Sequence, residues 1–435
     1  MEKNHKKESS MDQSPLETLV NFLDISPTAF HAVHNAAAML SAHGFTALSE
    51  GEEWHPERGK AYYVKRNDSA LIAFRIGSET PENAFRIVAS HTDSPALKLK
   101  ENPALSDGTF TRLNVEPYGG GIFYSFLDRP LTIAGRIVRE KEGRLVSELF
   151  ESRETVVIPS LAIHMDRTVN EKFAPNPQTD LLPLYALGKE ELGLDGELDG
   201  AIAFDLFAAC KEPPFFSGKH GEFLSAPRID NLSSVAASLW ALEETKTDDG
   251  IGVAACFDSE EVGSRTLQGA GSGFLKSVLS RIADGLGLSE EQRERMLARS
   301  FMISLDNAHS VHPNHPEKCD PTNRAVMGGG IVIKGHAGGA YTTDAASSAV
   351  IKRIFQRADV RYQTFFNRSD MRSGSTLGAI SLSSVSIRTV DLGLAQLAMH
   401  SAVETFDHAD YTELLKGLSA FYEAPSSDLL VHSEP

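Results

Sequence analysis

The segment FRIVASHTDSP, residues 85–95, is the part of this 435-residue sequence that best indicates its fold. Its first six residues form a short, largely apolar run with β-branched side chains, which is typical of a strand buried on both faces of a parallel sheet. The run ends abruptly at His91, Asp93 and Pro95. The sequence therefore predicts a buried strand over 85–90 whose end presents a histidine and a carboxylate.

Two other apolar runs also end in side chains suited to metal binding or acid–base chemistry. IGVAACF (251–257) is followed by Glu260 and Glu261, and FMISL (301–305) is followed by Asp306. Sites in open α/β sheets form outside the carboxyl ends of the strands. If the three strands are neighbours, these side chains converge with His91 on one crevice.

Helical and strand patterns alternate through most of the chain, which indicates the α/β class. Apolar residues recur at helical spacing over 15–43, and further helices are predicted over 232–242, within 273–297 and from about Ser401. Such alternation predicts a mainly parallel central sheet flanked by helices.

Between about residues 97 and 223 the pattern changes to short strands separated by turns. LTIAGRIVRE (131–140), RLVSELF (144–150) and TVVIP (155–159) are examples of these strands. We interpret this region as a β-rich module inserted into a larger domain. The expected organisation is a first α/β part over 1–96, a β-rich domain over 97–224 and a second α/β part over 225–435.

Charge and cysteine content exclude several kinds of partner and site. The 42 Lys and Arg residues against 59 Asp and Glu give a net charge of −17, which argues against a nucleic-acid or anionic-membrane partner. The three cysteines form no CxxC, which excludes a disulfide framework and a four-cysteine zinc site. No signal-peptide pattern is present, and no apolar run approaches the roughly 18 residues of a membrane helix. We therefore expect a reduced, cytoplasmic protein.

The candidate carboxylates also have ordinary structural explanations. Paired glutamates occur five times, and most are typical of a solvated helix face, but only Glu260-Glu261 follows a buried strand. Asp306 differs because a lone carboxylate that ends an apolar run is costly unless it is paired, hydrogen-bonded or bound to a metal.

Asp230 and His400 each precede a predicted helix. Asp230 is explained about equally well as the N-cap of the helix over 232–242 or as a metal ligand. His400 precedes Ser401-Ala-Val-Glu404, which has the pattern of a capping box, so this histidine is either a packed linker residue or a ligand. Nucleophile-elbow, phosphate-loop, H-E-x-x-H and dinucleotide motifs do not occur in the sequence. A set of His, Asp and Glu ligands remains, which suits divalent metals and zinc first.

Several longer motifs, spread in order over most of the chain, resemble those of the aspartyl aminopeptidases, a family of dinuclear-zinc peptidases. The resemblance implies a zinc aminopeptidase-like α/β fold interrupted by a β-rich dimerisation domain. The motifs are ASHTDSPALKLK (89–100), LDRPLTIAGR (127–136), IPSLAIHMDR (158–167), RIDNLSS (228–234), FDSEEVGS (257–264), SLDNAHSVHPN (304–314) and LGLAQLAMHSAVET (392–405).

The resemblance implies two Zn²⁺ per subunit, with Co²⁺ or Mn²⁺ as alternative ions, and with Asp230 bridging both metals. The implied ligands are His91, Asp230, Glu261, Asp306 and His400.

The implied activity is release of N-terminal residues, preferentially Asp or Glu, from short peptides with a free N-terminus. A water that bridges the zinc ions would attack, with Glu260 as general base. Asp93 would orient His91. His309, together with His164 of a neighbouring subunit, would stabilise the developing oxyanion.

The substrate site is also implied by resemblance. Lys334, Tyr341 and His309 match positions that line it, and Lys334 would contact the acidic side chain of the substrate. Asp344 lies three residues beyond Tyr341, and a carboxylate that close would weaken the selectivity for acidic residues.

The resemblance implies a homo-oligomer, a tetrahedral dodecamer built from dimers, whose active sites face an inner chamber. Two other functions stay open. One is a deacylase or carboxypeptidase on the same dinuclear-metal scaffold, and the other is a non-catalytic peptide-binding shell. The intact Glu260 and the five ligand positions argue against the shell.

Overall fold

The computed structural model describes residues 14–190, 198, 200–371, 373–374 and 376–432; the N-terminal segment, for which the sequence shows no signal-peptide pattern, lies almost wholly outside these ranges. Helices cover both faces of a central sheet. In chain order the helices are α1 (Pro15–Asp24), α2 (Ala29–Ala42), α3 (Ile229–Glu244), α4 (Phe274–Gly285), α5 (Glu290–Arg299), α6 (Ala345–Arg357), α7 (Leu377–Ser381) and α8 (His408–Glu423).

The central sheet, as far as the described residues show it, has nine strands. They are β1 (Thr46–Leu48), β2 (Ala61–Arg66), β3 (Ala70–Ile76), β4 (Thr80–His91), β13 (Asp249–Phe257), β14 (Phe301–Leu305), β16 (Ile331–Lys334), β17 (Tyr362–Phe365) and β18 (Arg388–Gly393). Their spatial order is β1-β2-β3-β13-β4-β14-β18-β16-β17. Most neighbouring pairs are parallel, including the run from β13 through β4 and β14 to β18, whereas β3 and β16 run antiparallel to β13 and β18. The predicted mainly parallel sheet is confirmed.

Strand β4 shows why its central residues 87–89 are apolar. Val88 belongs to the hydrophobic cluster under α1, α2, α3 and α8, while Ile87 and Ala89 belong to the cluster under α4, α5 and α7. Side chains of a strand alternate between the two faces of a sheet, so consecutive residues of a strand covered on both faces are mostly apolar. Burial of each such large side chain stabilises the fold by roughly 1.5–3 kcal/mol.

A second sheet corresponds to the β-rich part of the sequence. Its strands are β5 (Ala96–Ser106), β6 (Phe110–Tyr118), β7 (Leu131–Lys141), β8 (Arg144–Val156), β9 (Leu184–Leu187) and β10 (Ala201–Cys210). They pair antiparallel in the order β8-β7-β10-β5-β6-β9. The sheet has a separate hydrophobic cluster that includes Leu97, Ile133 and Leu206. The boundaries 97–224 and a role in dimerisation stay predictions.

A third, small sheet lies beside the carboxyl end of the central sheet. It contains β11 (Phe215–Ser217), β12 (Phe223–Ala226), β15 (Ala308–His309), β19 (Ala395–Leu397) and β20 (Glu404–Asp407), in the order β11-β12-β20-β19-β15. Because β12 leads into α3, β15 carries His309 and the β19–β20 connection carries His400, this sheet brings distant parts of the chain to one place.

The prediction of a helix from Ser401 is wrong. The last helix, α8, begins at His408 with Asp407 as its N-cap, and Glu404 lies in β20 instead of a first helical turn. The pairing of β20 with both β12 and β19 overrides the local capping pattern. The segment 273–297 is helical as expected, but it divides into α4 and α5, and α5 starts with a capping box at Ser289.

The sequence predicts no membrane-spanning helix. Among the residues that the structure describes, no helix combines the length and apolar character needed to cross a bilayer.

Candidate metal centre

Three adjacent parallel strands end at the same edge of the central sheet and carry predicted site residues there. His91 is the last residue of β4 and lies in register with Phe257 of β13. Glu260 and Glu261 follow β13 after a turn in which Ser259 has a left-handed φ of 64°. Asp306 follows β14 on the other side of β4. The structure therefore brings these four side chains together, as the strand-end argument predicted.

Asp230 reaches the site from the start of α3. The φ/ψ angles of Asp230 and Asn231 are not helical, and the N-cap position belongs to Arg228. The side chain of Asp230 is 2% exposed and faces two histidines. The interpretation of Asp230 as a simple N-cap is therefore wrong, and its carboxylate is directed into the site.

The five predicted ligands form two groups that share Asp230. In the first, His91 Nε2 lies 3.5 Å from Asp230 Oδ1 and 3.7 Å from Asp306 Oδ1. In the second, His400 Nε2 lies 3.6 Å from Asp230 Oδ2 and 3.3 Å from Glu261 Oε1. Within each group the three ligand atoms lie within 4.8 Å of one another. Each oxygen of Asp230 thus faces a different group.

The polar atoms of the two groups fit bound cations. Asp230 Oδ1 and Glu261 Oε1 are buried and have no hydrogen-bond partner among the described residues. A buried carboxylate oxygen without a partner is costly, and a divalent cation supplies the missing interaction. Imidazole nitrogens and carboxylate oxygens are the donor set that zinc accepts at a catalytic site.

Both histidines are held in the tautomer that a metal requires. His91 Nδ1 donates to the main-chain oxygen of Asp93 at 3.0 Å, and His400 Nδ1 donates to the main-chain oxygen of Gly120 at 3.2 Å. A carbonyl oxygen can only accept, so the proton lies on Nδ1 and the Nε2 lone pair is free to bind a metal.

The charges of the site are strongly coupled. Burial raises the pKa of Glu260 to about 8, with His91 opposing the shift and Asp306 adding to it. Burial also raises the pKa of Glu261 well above its usual value. For His91, burial acts against the charged form, but the neighbouring carboxylates of Asp230, Asp306 and Asp93 raise its pKa well above the ordinary range. The cluster therefore carries excess negative charge, which protons or metal cations must compensate.

Asp93 positions the site from beneath. Its Oδ1 accepts the main-chain N–H of Glu260 and its Oδ2 that of Glu261, both at 3.1 Å, while Oδ1 also lies 3.3 Å from His91 Nδ1. The hydroxyl of Tyr118, at the end of β6, donates to Oδ2 at 2.9 Å. Sequence reasoning missed Tyr118, because its strand belongs to the second sheet and no local motif links it to Asp93.

Glu404 is a second residue that sequence reasoning missed. Its Oε2 accepts the main-chain N–H of Asp230 at 2.8 Å, and its Oε1 accepts that of His400 at 2.6 Å. The side chain is 2% exposed, and burial together with the charge of Asp230 raises its pKa to about 8. A signal was present in the carboxylate four residues after His400, but the capping-box pattern assigned it to a helix start.

A glycine turn closes the site from the side of the second sheet. Gly119 has φ +75°, and a Cβ there would lie 3.0 Å from the Cβ of Glu261. Gly120 supplies the carbonyl that orients His400. A side chain at position 119 would therefore push against a predicted ligand, which gives the run of glycines over 119–121 a role beyond an ordinary turn.

A cavity of about 130 Å³ opens over the two ligand groups and is lined by Glu260, His309, Lys334 and Tyr341 in addition to the ligands. Lys334 is 1% exposed; its Nζ donates to the main-chain oxygen of Asn307 at 3.2 Å and lies 3.8 Å from Asp306 Oδ2. Its Nζ also lies 5.1 Å from the centre of the Tyr341 ring. Loss of hydration and the charge of Lys334 lower the pKa of His309.

Two predicted residues lie away from this cavity. His164 is exposed on a connection of the second sheet and is not among the described residues that line the cavity. Asp344 is the N-cap of α6, where its Oδ1 accepts the main-chain N–H of Ser347 at 2.7 Å. Among the described residues, Asp344 therefore makes no contact with the cavity that would support the expected weakening of selectivity for acidic substrates.

Comparisons with known proteins give consistent matches along the chain. The sequence model of the family described as aminopeptidase I zinc metalloprotease (M18) matches residues 22–200 and 189–422. A probable M18 family aminopeptidase 2 of Clostridium novyi (strain NT) is 42% identical over 421 residues, which cover 93% of this chain and 97% of the relative.

Solved structures are similar over nearly the whole fold. A chain in the cryo-EM structure of the Ape4 and Nbr1 complex has a TM-score of 0.91 and 34% identity, with 96% of this chain and 87% of that chain covered. A chain of the mApe1 dodecamer of Saccharomyces cerevisiae has a TM-score of 0.80 and 27% identity, with 94% and 97% covered.

Replacement of Glu404 by Gln is expected to weaken zinc binding. Glutamine has a single acceptor oxygen, so its amide NH2 would face the N–H of either Asp230 or His400. Outer-shell changes of this kind cost about 10- to 100-fold in metal affinity. Zinc content after dialysis and competition titration with a chromogenic chelator measure the effect. Glu243→Gln, a change at another buried glutamate, is the control and should retain zinc. Equal zinc affinity in both variants would contradict the role of Glu404.

Proposed function

Because the chain belongs to the M18 family of zinc metallo-aminopeptidases, we propose that it releases N-terminal residues, preferentially Asp or Glu, from short peptides at a centre of two Zn²⁺. The observation that carries the proposal is the position of Asp230, whose two oxygens face separate ligand groups. A single shared carboxylate between two groups suits a pair of metals held close together.

The proposed ligands of one zinc are His91, Asp230 and Asp306, and those of the other are Asp230, Glu261 and His400. When bound, zinc polarises a carbonyl group and makes water more acidic. The residues of this chain bind the metals, orient the substrate and move the proton.

Glu260 is the proposed general base. It lines the cavity, and its backbone is fixed by Asp93 through the N–H at 3.1 Å. His91, Glu260 and Glu261 also form a third close group, but the two groups around Asp230 already supply three ligands each, so Glu260 remains free for proton transfer. Its carboxylate takes the proton of the attacking water and returns it to the leaving amine.

Lys334, which lines the same cavity as Glu260, supplies positive charge to the substrate. Lys334 donates one of its three N–H groups to the main-chain oxygen of Asn307 and lies 3.8 Å from Asp306 Oδ2, so an N–H group remains for an acidic side chain of the substrate. His309 and a His164 from a second subunit are the proposed donors to the oxyanion. Tyr341 packs against Lys334 and limits the space beside it.

We expect chelator-sensitive release of amino acids from unblocked peptides and none from N-acetylated ones. Glu260→Gln should lower kcat by more than about 100-fold, since it removes general-base catalysis, while the zinc content stays at the wild-type value. Amino-acid release and metal analysis of the same samples measure both effects.

Glu291→Gln makes the same chemical change in another glutamate pair, exposed on α5, and should be fully active. Cleavage of N-acetylated substrates would favour the deacylase alternative, and release from the C-terminus the carboxypeptidase. Absence of any zinc-dependent hydrolysis would favour the non-catalytic shell. Each of these results would overturn the proposed function.

The acidic preference is expected to depend on Lys334. Peptides that begin with Asp should be cleaved with a kcat/KM at least about tenfold above those of Ala, Leu or Lys counterparts, because one charge-assisted hydrogen bond is worth that factor. Lys334→Gln should reduce this ratio, whereas Asp344→Asn should preserve it because Asn caps a helix equally well. Equal rates for Asp and Ala peptides in the wild type would contradict the preference.

The exposed surface of the second sheet supports a homo-oligomer. Leu161, Ile163 and Met165 flank His164 and are 56%, 46% and 74% exposed. Three exposed apolar side chains in one short segment are typical of an interaction site. The match to a chain of the mApe1 dodecamer supports a dodecamer, and we propose that it is tetrahedral and built from dimers in which this surface pairs subunits.

If His164 acts across the dimer, two inactive variants should complement each other. Glu260→Gln and His164→Ala are each expected to be inactive alone. In a mixed dimer, the His164→Ala subunit has its own Glu260 and receives His164 from its neighbour, so coexpression should restore activity. Size-exclusion chromatography with light scattering checks assembly. A fully active monomer, or full activity of His164→Ala, would contradict the proposal.

A further inference from the structure

We propose that Asp391 is a positioning residue that fixes two loops of the substrate cavity and thereby determines peptide binding. The inference rests on the proposed peptidase function and deepens it, because Asp391 itself does not line the cavity. It acts through residues that do.

Asp391 lies in the middle of β18 and is fully buried, with 0% exposure. Across the sheet it is in register with Ser304 of β14 on one side and with Lys334 of β16 on the other. Side chains at paired positions share a face of the sheet. The carboxylate therefore lies in the same row as Lys334, directly beneath the cavity.

Each oxygen of Asp391 binds a different loop. Oδ2 accepts both the main-chain N–H and the hydroxyl of Thr342, each at 2.6 Å. Oδ1 accepts the hydroxyl of Thr376 at 2.6 Å. The main-chain N–H of Asp391 donates to the hydroxyl of Thr343 at 2.9 Å. Hydrogen bonds this short to a carboxyl oxygen are among the strong ones in proteins.

Both loops present residues to the cavity. Thr342 directly follows Tyr341, and Thr376 lines the cavity together with Gly374. The second loop leads into α7, whose first turn is also fixed by the bond from the N–H of Gly378 to Ser304 Oγ at 3.1 Å. One carboxylate thus sets the distance between Tyr341 on one side of the cavity and Thr376 on the other.

A second buried carboxylate provides the contrast. Asp410 on α8 is also 0% exposed and accepts two main-chain N–H groups, those of Gly328 and Gly330. The residues that line the cavity do not include Asp410 or either glycine. Loss of a buried acceptor should lower the free energy of unfolding at both positions. Of these two carboxylates, only Asp391 binds loops that line the cavity, so only its replacement should also change substrate binding.

The test compares Asp391→Asn with Asp410→Asn on one unblocked peptide. Both variants should melt at a lower temperature than the wild type. Asp391→Asn should raise KM about tenfold, the factor that corresponds to about 1.4 kcal/mol, with kcat changed less than threefold and zinc content unchanged. Asp410→Asn should leave KM at the wild-type value. Steady-state kinetics, thermal melting and metal analysis provide the three measurements.

Thr342→Val and Thr376→Val each remove one hydroxyl donor. They provide an alternative test of the positioning role if Asp391→Asn does not fold. Each should raise KM severalfold without loss of zinc. Unchanged KM in these variants and in Asp391→Asn, or an equal rise of KM in Asp410→Asn, would overturn the positioning role. Absence of hydrolysis by the wild-type protein would instead overturn the proposed function, so the two failures are distinguishable.

Discussion

The site depends on compensation of the negative charge of the carboxylates that lie at one edge of the central sheet. Asp230, Glu260, Glu261 and Asp306 converge there, and Asp93 lies directly beneath them. Like charges at such distances repel unless protons or cations lie between them. The two close ligand groups around Asp230 offer the places for those cations. In the proposed function, cations held at these places would supply the local positive charge that an acidic substrate requires, whereas the net charge of −17 alone would repel it.

Buried carboxylates outside the two ligand groups hold this cluster in shape. Asp93 accepts the N–H groups of Glu260 and Glu261, and Glu404 accepts those of Asp230 and His400. These hydrogen bonds are made to main-chain N–H groups. They therefore fix the backbone of each ligating residue and leave its side-chain oxygens or nitrogens free to bind a metal. Asp391 acts in a similar way on another part of the site. It accepts hydrogen bonds from Thr342 and Thr376, which belong to loops that line the cavity.

Sequence reasoning reached the predicted site residues wherever a local pattern marked the end of a buried strand. His91, Glu260 and Asp306 were placed in this way, and the structure brings their side chains together. It failed where pairing between distant segments decides the outcome. Ser401-Ala-Val-Glu404 has the pattern of a capping box, but pairing with β12 and β19 makes Glu404 part of a strand. Tyr118 left no local signal, because its contact with Asp93 joins different sheets.

The sequence by itself determined the α/β class, the β-rich insert and the strand ends that carry the chemistry, because hydrophobic periodicity and the burial of a parallel strand are properties of short segments. Tertiary structure alone decided that Glu404 ties Asp230 to His400 and that Asp391 lies beneath the cavity. These contacts join residues far apart in the chain, and only the order of the strands brings such residues within hydrogen-bond distance.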